Sequence, residues 1–150
     1  MSARVLVIED NQTNLELMRY LLQAYGHQVV AASDGCEGVS LAKDAGLALI
    51  ICDIHLPKLD GFGVIRKLKS DLYTQTLPVI AVTAQAMVGD RDKLLTAGFD
   101  GYLCKPIDPE SFVSQVEAFL PAHLRSVRPA ACNRSTSNQT VTAKRRPALS

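Results

Sequence analysis

Short apolar runs alternate with amphipathic stretches over the first 120 or so residues of this chain. Five of these runs are rich in Val and Ile and apolar almost throughout: Val5–Ile8, Gln28–Ala32, Ala48–Cys52, Pro78–Val82 and Gly101–Cys104. Uninterrupted runs of this length are typical of strands buried on both faces of a parallel sheet. The pattern therefore predicts five such strands.

The stretches between and after these runs have the spacing of amphipathic helices. In the first, apolar residues recur every three or four positions, at Leu15, Met18, Leu21, Leu22 and Tyr25. Asn11 is a suitable N-cap for this helix, and Gly26 is suited to end it. Four more helices are predicted, from near Asp34 to Ala45, after Asp60-Gly61, from about Gln85 to Ala97, and after Asp108-Pro109. Asp108 is expected to cap the last helix, with Pro109 as its first residue.

Five strands alternating with five helices predict an α/β fold, a doubly wound parallel sheet. Right-handed crossovers would place helices on both faces of the sheet. In the flavodoxin-like strand order 2-1-3-4-5, the first, third, fourth and fifth strands are neighbours. Ligand sites in such sheets form beyond the carboxyl ends of the strands, so the residues at those ends are candidates for chemistry.

Polar residues stand at four of these strand ends. Glu9 and Asp10 follow the first strand, Asp53 the third, Thr83 the fourth and Lys105 the fifth. Clustered carboxylates repel one another unless a cation lies among them, and their hard oxygens suit Mg²⁺. A carboxylate can also attack phosphorus and form an acyl phosphate, a transfer that requires positioning and charge neutralisation above all. The strand ends therefore predict phosphoryl chemistry assisted by Mg²⁺.

Four segments of the chain resemble the receiver domains of response regulators in two-component signalling. The matching segments, within about residues 3–122, are Val5–Asn11, Asp53–Gly61, Val79–Ala84 and Gly101–Ile107. Residues 83–87 and 98–102 look most like the receivers of stand-alone regulators and hybrid sensor kinases. The resemblance implies phosphorylation by a sensor histidine kinase or a histidine phosphotransfer protein, and signalling to a downstream protein that the sequence does not name.

The resemblance also implies a role for each residue of the metal and acceptor site. Asp53 is expected to be the phospho-acceptor and a ligand of Mg²⁺. Asp10 would bind the metal directly, Glu9 mainly through water, and His55 through its backbone carbonyl. For the His55 side chain two possibilities stay open, contact with the phosphoryl group or a position lining the cleft.

The same resemblance implies a switch. Thr83 and Lys105 would contact the phosphoryl group, and Tyr102 occupies the position of an aromatic switch residue. The Lys105–Pro106 peptide bond is expected to be cis. Phosphorylation is then expected to change the face formed by the fourth helix, the fifth strand and the fifth helix.

The distribution of charge divides the chain in two. Residues 1–120 contain fifteen acidic and ten basic side chains, whereas residues 121–150 contain six basic side chains and no acidic one. An acidic body argues against direct nucleic-acid binding by the body. After about Pro121 the periodic pattern ends, and large apolar residues become rare. These features predict a receiver domain over residues 1–122 and a basic, disordered tail over residues 123–150.

Composition sets further expectations. No apolar run approaches the ~20 residues needed to span a bilayer, and no secretory signal is evident, so a cytoplasmic location is expected. The four cysteines form no C-x-x-C pair, which disfavours zinc or redox chemistry. Cys52 and Cys104 lie in apolar runs and are expected to be buried, whereas His27 and His123 are expected at the surface.

Four functional hypotheses follow from the sequence. The first is a stand-alone signalling module that is not an enzyme, apart from its own phosphorylation and dephosphorylation. The second is a phosphatase working through an aspartyl phosphate, which is disfavoured because His55 stands where that mechanism needs a carboxylate. The third is a receiver fragment of a larger hybrid sensor kinase. The fourth, a DNA-binding regulator, is weak because about thirty residues after the body cannot hold a helix-turn-helix module.

Overall fold

The computed structural model describes residues 3–44, 46–84 and 90–125. Within these ranges strands and helices alternate along the chain. The strands are β1 (Arg4–Ile8), β2 (Gln28–Ala32), β3 (Leu47–Asp53), β4 (Val79–Thr83) and β5 (Gly101–Cys104). The α-helices are α1 (Gln12–Ala24), α2 (Gly35–Leu41), α3 (Gly61–Lys69), α4 (Asp90–Ala97) and α5 (Phe112–Glu117), and a short 3-10 helix follows at Ala122–Leu124.

The five strands form one parallel sheet in the order β2-β1-β3-β4-β5. This confirms the predicted doubly wound α/β fold and its flavodoxin-like strand order. The central strand β3 is buried along nearly its whole length, which explains why its sequence is apolar on both faces. No helix in the described part of the chain is long and apolar enough to cross a membrane.

The core consists of two apolar clusters, one on each face of the sheet. Val5 and Val7 of β1 pack with side chains of α1 and α5, whereas Leu6 and Ile8 pack with side chains of α3 and α4. Neighbouring residues of a strand point to opposite faces, so one short apolar run supplies both clusters. The helices are thereby fixed on both faces, and the carboxyl ends of the strands meet at one edge of the sheet.

Three helices begin at a side-chain cap. Asn11, Asp34 and Asp60 each accept a hydrogen bond from the backbone N–H three residues later, over 2.9, 2.7 and 2.9 Å respectively. These caps satisfy N–H groups that have no partner inside the helix. Gly26, with φ +89°, follows the end of α1 in the left-handed conformation that its sequence position predicts.

Other helix bounds differ from the prediction. α5 begins at Phe112, so Pro109 is not its first residue. The Asp108 carboxylate accepts hydrogen bonds from the Glu110 N–H at 3.1 Å and the Ser111 hydroxyl at 3.0 Å. These bonds hold residues 109–111 in a turn. α2 ends at Leu41, earlier than predicted, and the predicted end at Ala45 lies outside the described residues.

Part of the predicted α4 also lies outside the described residues, since residues 85–89 are not among them and the helix is seen from Asp90 onward. The same holds for most of the predicted tail, of which the structure describes residues 123–125. There the Arg125 guanidinium donates hydrogen bonds to the carbonyl oxygens of Leu120, at 3.0 Å, and Ala118, at 3.4 Å. The basic residues beyond Arg125 are outside the described ranges.

Two burial predictions were wrong. Cys104 is exposed because it is the last residue of the edge strand β5, whereas Cys52 on the central strand is buried as expected. His27 is buried, and its imidazole Nε2 lies 2.6 Å from a carboxylate oxygen of Glu117 on α5. His123 is exposed, in agreement with its prediction.

Candidate functional site

The carboxyl ends of β1, β3, β4 and β5 meet at one edge of the sheet and bring the predicted residues together. Asp53 and Thr83 are the last residues of β3 and β4, Glu9 and Asp10 follow β1, and Lys105 follows β5. Parallel strands end at a common edge, so residues more than ninety positions apart become neighbours. The resulting group of side chains is called the acidic cleft below.

Asp53 lies at the centre of the acidic cleft and is only 3 % exposed. One carboxylate oxygen, Oδ2, lies 3.0 Å from the Nζ atom of Lys105. The other, Oδ1, accepts a hydrogen bond from the backbone N–H of His55 over 3.2 Å. These two contacts hold the carboxylate in one orientation and supply positive potential beside it.

Glu9 is 1 % exposed and shares Lys105 with Asp53. Its Oε2 atom lies 3.3 Å from Nζ of Lys105 and accepts the backbone N–H of Asn11 over 3.2 Å. Burial, followed by the charge of Asp53, raises the pKa of Glu9 to about 7. For Lys105, burial acts to lower the pKa, but the hydrogen bond and charge of Asp53 outweigh it, so the pKa is raised. The ammonium therefore stays charged.

The acidic cleft has the donor set of a site for a hard divalent cation. One carboxylate oxygen from each of Glu9, Asp10 and Asp53 lies within 4.8 Å of the others. The Oε1 atom of Glu9 is buried, and no donor among the described residues hydrogen-bonds it, although Nζ of Lys105 is 3.3 Å away. A buried oxygen without a hydrogen-bond donor and two further carboxylates suit Mg²⁺, which binds oxygen ligands.

The loop between β3 and α3, residues 54–60, is held by the start of α2 and its cap residue Asp34. The Gly35 N–H approaches the carbonyl oxygen of Pro57 at 3.5 Å, and a Cβ atom on Gly35 would lie only 1.8 Å from the carbonyl oxygen of Leu59. The Asp34 carboxylate lies 3.6 Å from the ammonium of Lys58. Sequence reasoning assigned Asp34 only to the start of a helix. The Asp34-Gly35 pair signals only a local helix start, so the contact with the distant loop could not be predicted from it.

The sequence profile of the response regulator receiver domain matches residues 5–117 of this chain. The chain belongs to the response regulator receiver domain family. This family and the strand order of the sheet agree with the resemblance seen in the four sequence segments. The acidic cleft is thus the candidate phosphorylation site of a receiver domain.

Individual relatives are similar over almost their whole length. The polar-differentiation response regulator DivK of Brucella abortus is 37 % identical over 120 residues, which make up 80 % of this chain and 98 % of that protein. The receiver domain of a sensor histidine kinase from Pseudomonas aeruginosa, solved with magnesium in its active-site cleft, is 30 % identical with a TM-score of 0.72, covering 79 % of this chain and 98 % of that one. The chemotaxis response regulator CheY4 of Vibrio cholerae is 25 % identical with a TM-score of 0.76, covering 80 % of this chain and all of that one.

The remaining predicted residues of the receiver lie around the cleft. The His55 side chain is exposed beside Asp53, and the Lys105–Pro106 bond is cis. Thr83 is buried at the end of β4. Tyr102 is half-buried on β5 and packs against the apolar cluster that α3 and α4 cover. The structure thus brings Asp53 and Lys105 into direct contact and places Tyr102 further back on the edge strand.

Proposed function

We propose that this receiver domain accepts a phosphoryl group on Asp53 from a histidine kinase or a histidine phosphotransfer protein. The observation that carries the proposal is the buried Asp53 carboxylate, bound by Lys105 at 3.0 Å and flanked by two further carboxylates. An Asp53 oxygen forms a bond to phosphorus while the bond from phosphorus to the donor imidazole nitrogen breaks. The electron pair leaves with that nitrogen, and Lys105 offsets negative charge at the acceptor.

In this proposal the acidic cleft holds one Mg²⁺. Asp10, Asp53 and the backbone carbonyl of His55 are the direct protein ligands, and Glu9 acts mainly through bound water. When bound, the metal neutralises charge on the transferring phosphoryl oxygens. The magnesium seen in the Pseudomonas aeruginosa receiver domain supports the assignment, as does the unbonded buried oxygen of Glu9.

Thr83 and Tyr102 are proposed to pass the phosphorylation signal to the surface. A phosphoryl group adds about −1.5 to −2 charge and three acceptor oxygens at Asp53. Thr83 ends the neighbouring strand and can donate its hydroxyl hydrogen to one of these oxygens. Its movement would vacate space for the ring of Tyr102, so the face of α4, β5 and α5 presents a different surface to a partner protein.

The similarity to the response regulator DivK over 98 % of that protein supports a stand-alone regulator. A cytoplasmic location and the absence of enzyme activity on other substrates are parts of the proposal. Residues 1–122 are proposed to be the complete receiver unit, and the basic residues that follow it a tail without a part in phosphoryl acceptance. An alternative is that the chain is the receiver of a larger hybrid sensor kinase, which the 30 % identity to such a receiver supports. The mass of the native protein in cell extracts distinguishes the two.

The test of phosphoryl acceptance uses the full chain, acetyl phosphate and Mg²⁺, with intact mass as the measurement. Wild type is expected to gain one phosphoryl mass, and excess chelator or the Asp53→Asn variant is expected to abolish the gain. Asp108→Asn, at an exposed aspartate outside the acidic cleft, is the matched control and should be labelled like wild type. Undiminished labelling of Asp53→Asn would refute the acceptor assignment.

A further inference from the structure

The turn after α3 displays two large apolar side chains almost entirely to solvent. Leu72 is 81 % exposed and Tyr73 is 84 % exposed. They are the two most exposed large apolar residues in the described part of the chain, and they are adjacent. A single exposed apolar residue such as Tyr20 on α1 is common on protein surfaces. Two adjacent ones at a turn form a contiguous apolar patch, a feature typical of interaction sites.

This turn has a defined shape despite its exposed tip. The Thr74 hydroxyl donates a buried hydrogen bond to the carbonyl oxygen of Leu68 over 2.7 Å. The Asp71 carboxylate accepts the backbone N–H of Tyr73 over 2.8 Å, and the ammonium of Lys69 reaches the carbonyl oxygen of Gln75 at 3.2 Å. The backbone beneath the two apolar side chains is therefore ordered before any partner arrives, which lowers the entropy cost of binding.

An open surface depression of about 440 Å³, called the cavity below, lies beside these two side chains, between α2 and α3. Val39 contributes apolar surface to it, and Lys43 and Lys67 contribute their cationic side chains. Asp71 lines it too, but its carboxylate is engaged by the Tyr73 N–H and by the ammonium of Lys43 at 3.4 Å. Lys67 forms no ion pair with any described residue. We call the cavity together with Leu72 and Tyr73 the turn patch.

We propose that the turn patch is a docking surface for an acidic segment of a partner protein that carries an apolar side chain. The apolar side chain would lie against Leu72 and Tyr73, and an acidic residue beside it would pair with Lys67, because the ammonium of Lys43 is already engaged by Asp71. A second copy of this chain fits less well, because a two-fold contact brings the patch, with two lysines and one aspartate, against an identical patch of the same net positive charge. The chain's own basic residues beyond Arg125 are repelled for the same reason.

The turn patch lies at the opposite edge of the sheet from the acidic cleft. α3 begins beside the carboxyl end of β3 and runs back to the turn that leads into the amino end of β4. A partner bound there leaves Asp53 open to a phosphodonor and leaves the α4, β5 and α5 face free. The turn patch is therefore suited to hold a partner in both phosphorylation states, and the proposal does not depend on phosphoryl acceptance.

The test measures binding of the full chain to a short labelled peptide with a Phe-Leu pair between Asp and Glu residues, by fluorescence anisotropy. Leu72→Ser, Tyr73→Ser and Lys67→Glu are each expected to weaken binding about tenfold, the loss of one anchoring contact. Tyr20→Ser, at a lone residue 70 % exposed on α1, is the matched control and should bind like wild type. Asp53→Asn should also bind like wild type. Leu72, Tyr73, Lys67 and Tyr20 are exposed, and Asp53 is buried but lies outside the turn. Thermal melting checks that each variant folds.

Three results would overturn the proposal. The first is no binding of the acidic peptide, or equal binding of a peptide with Lys in place of its Asp and Glu residues. The second is dimerisation of wild type in sedimentation that Tyr73→Ser abolishes, which would make a second copy the occupant. The third is that wild type binds vesicles containing anionic lipid, that Tyr73→Ser does not, and that neither binds the peptide. This result would make the surface a membrane contact.

Discussion

At the scale of single residues, the fold disfavours the charged form of Glu9, although a metal ligand in the acidic cleft has to be charged. The Glu9 carboxylate is buried against Asp53, and both effects disfavour its charged form, so that its pKa rises to about 7. Lys105 offsets only part of this. The unfolded chain has no such constraint, and an ordinary glutamate there loses its proton near pH 4.5.

This difference predicts a pH dependence of stability in the metal-free protein. Between about pH 4.5 and 7 the folded state holds the Glu9 proton more tightly than the unfolded state, so the free energy of unfolding should fall as pH rises through this window. Urea unfolding in excess chelator at several pH values measures it. Glu9→Gln, which cannot ionise, should flatten the slope, and a slope equal to that of wild type would contradict the assignment to Glu9.

Which residues form the acidic cleft could be predicted from the sequence, because strand ends are local features and parallel strands share an edge. Asp53 needed only its position after an apolar run. The burial of His27 could not be predicted in this way, since its partner Glu117 is ninety positions later in the chain. Cys104 is exposed because β5 is an edge strand. An apolar run in the sequence indicates a strand but does not show whether that strand lies at the centre or the edge of the sheet.

At the scale of elements, His27 and Glu117 connect the start of β2 with α5. The imidazole Nδ1 accepts the backbone N–H of Ala3 over 3.1 Å, so the ring hydrogen is on Nε2 and is donated to Glu117. Both side chains are buried. Removing one would leave a buried polar group without this partner, a costly change in a core.

His27→Ala is therefore expected to lower the free energy of unfolding by about 3 kcal/mol. His123→Ala, at an exposed histidine, is the control and should leave it nearly unchanged. Chemical denaturation of both variants measures the difference. If His27→Ala were as stable as wild type, the contact with Glu117 would contribute nothing to holding α5.

The contact between Gly35 and the loop of residues 54–60 is a second link between elements, and it lies next to Asp53. A side chain at Gly35 would collide with the backbone of Leu59, so Gly35→Ala must displace this loop. We expect a loss of about 1–3 kcal/mol in stability together with slower phosphorylation by acetyl phosphate. Initial rates by intact mass and urea unfolding measure the two effects.

Gly26→Ala is the matched control for this prediction. A Cβ atom there meets no atom within 4 Å, but φ is +89°, so the variant loses about 1 kcal/mol through backbone strain alone. Gly26 is far from the acidic cleft, at the other end of α1. Its variant should be phosphorylated at the wild-type rate, and an equal slowing of both variants would mean that lost stability, not the loop, explains the effect.

Helix ends show the same limit of sequence reasoning at the element scale. The cap at Asn11 was predicted, and the helix capped by Asp60 was predicted to follow that residue. Both signals are local, because a cap and its hydrogen-bond partner lie within four residues. The start of α5 was not, since the Asp108 carboxylate accepts the Glu110 N–H as a helix cap would, yet the regular helix begins only at Phe112. Local signals thus indicated each of the five α-helices seen in the described residues, but not in every case the residue at which the helix begins.

At the scale of the whole molecule, the sheet separates two surfaces of different charge and use. The acidic cleft is at the carboxyl edge of the strands, and the turn patch is at the amino edge. The described body carries an excess of acidic residues, whereas the last thirty residues carry six basic and no acidic ones. The match to the family profile ends at residue 117, so this whole basic segment lies beyond the matched part of the chain.

Arg125 lies just beyond the proposed receiver unit of residues 1–122 and contacts the end of α5. Its guanidinium bonds to carbonyl oxygens at the end of α5, so a chain ending at Val127 keeps these contacts and one ending at Ala122 loses them. The chain ending at Val127 should be phosphorylated like the full chain and unfold at the same denaturant concentration. The chain ending at Ala122 should lose about 1–2 kcal/mol of stability, because charged hydrogen bonds to backbone carbonyls are removed. Slower phosphorylation of the chain ending at Val127 would show that the basic residues beyond it take part in phosphoryl acceptance.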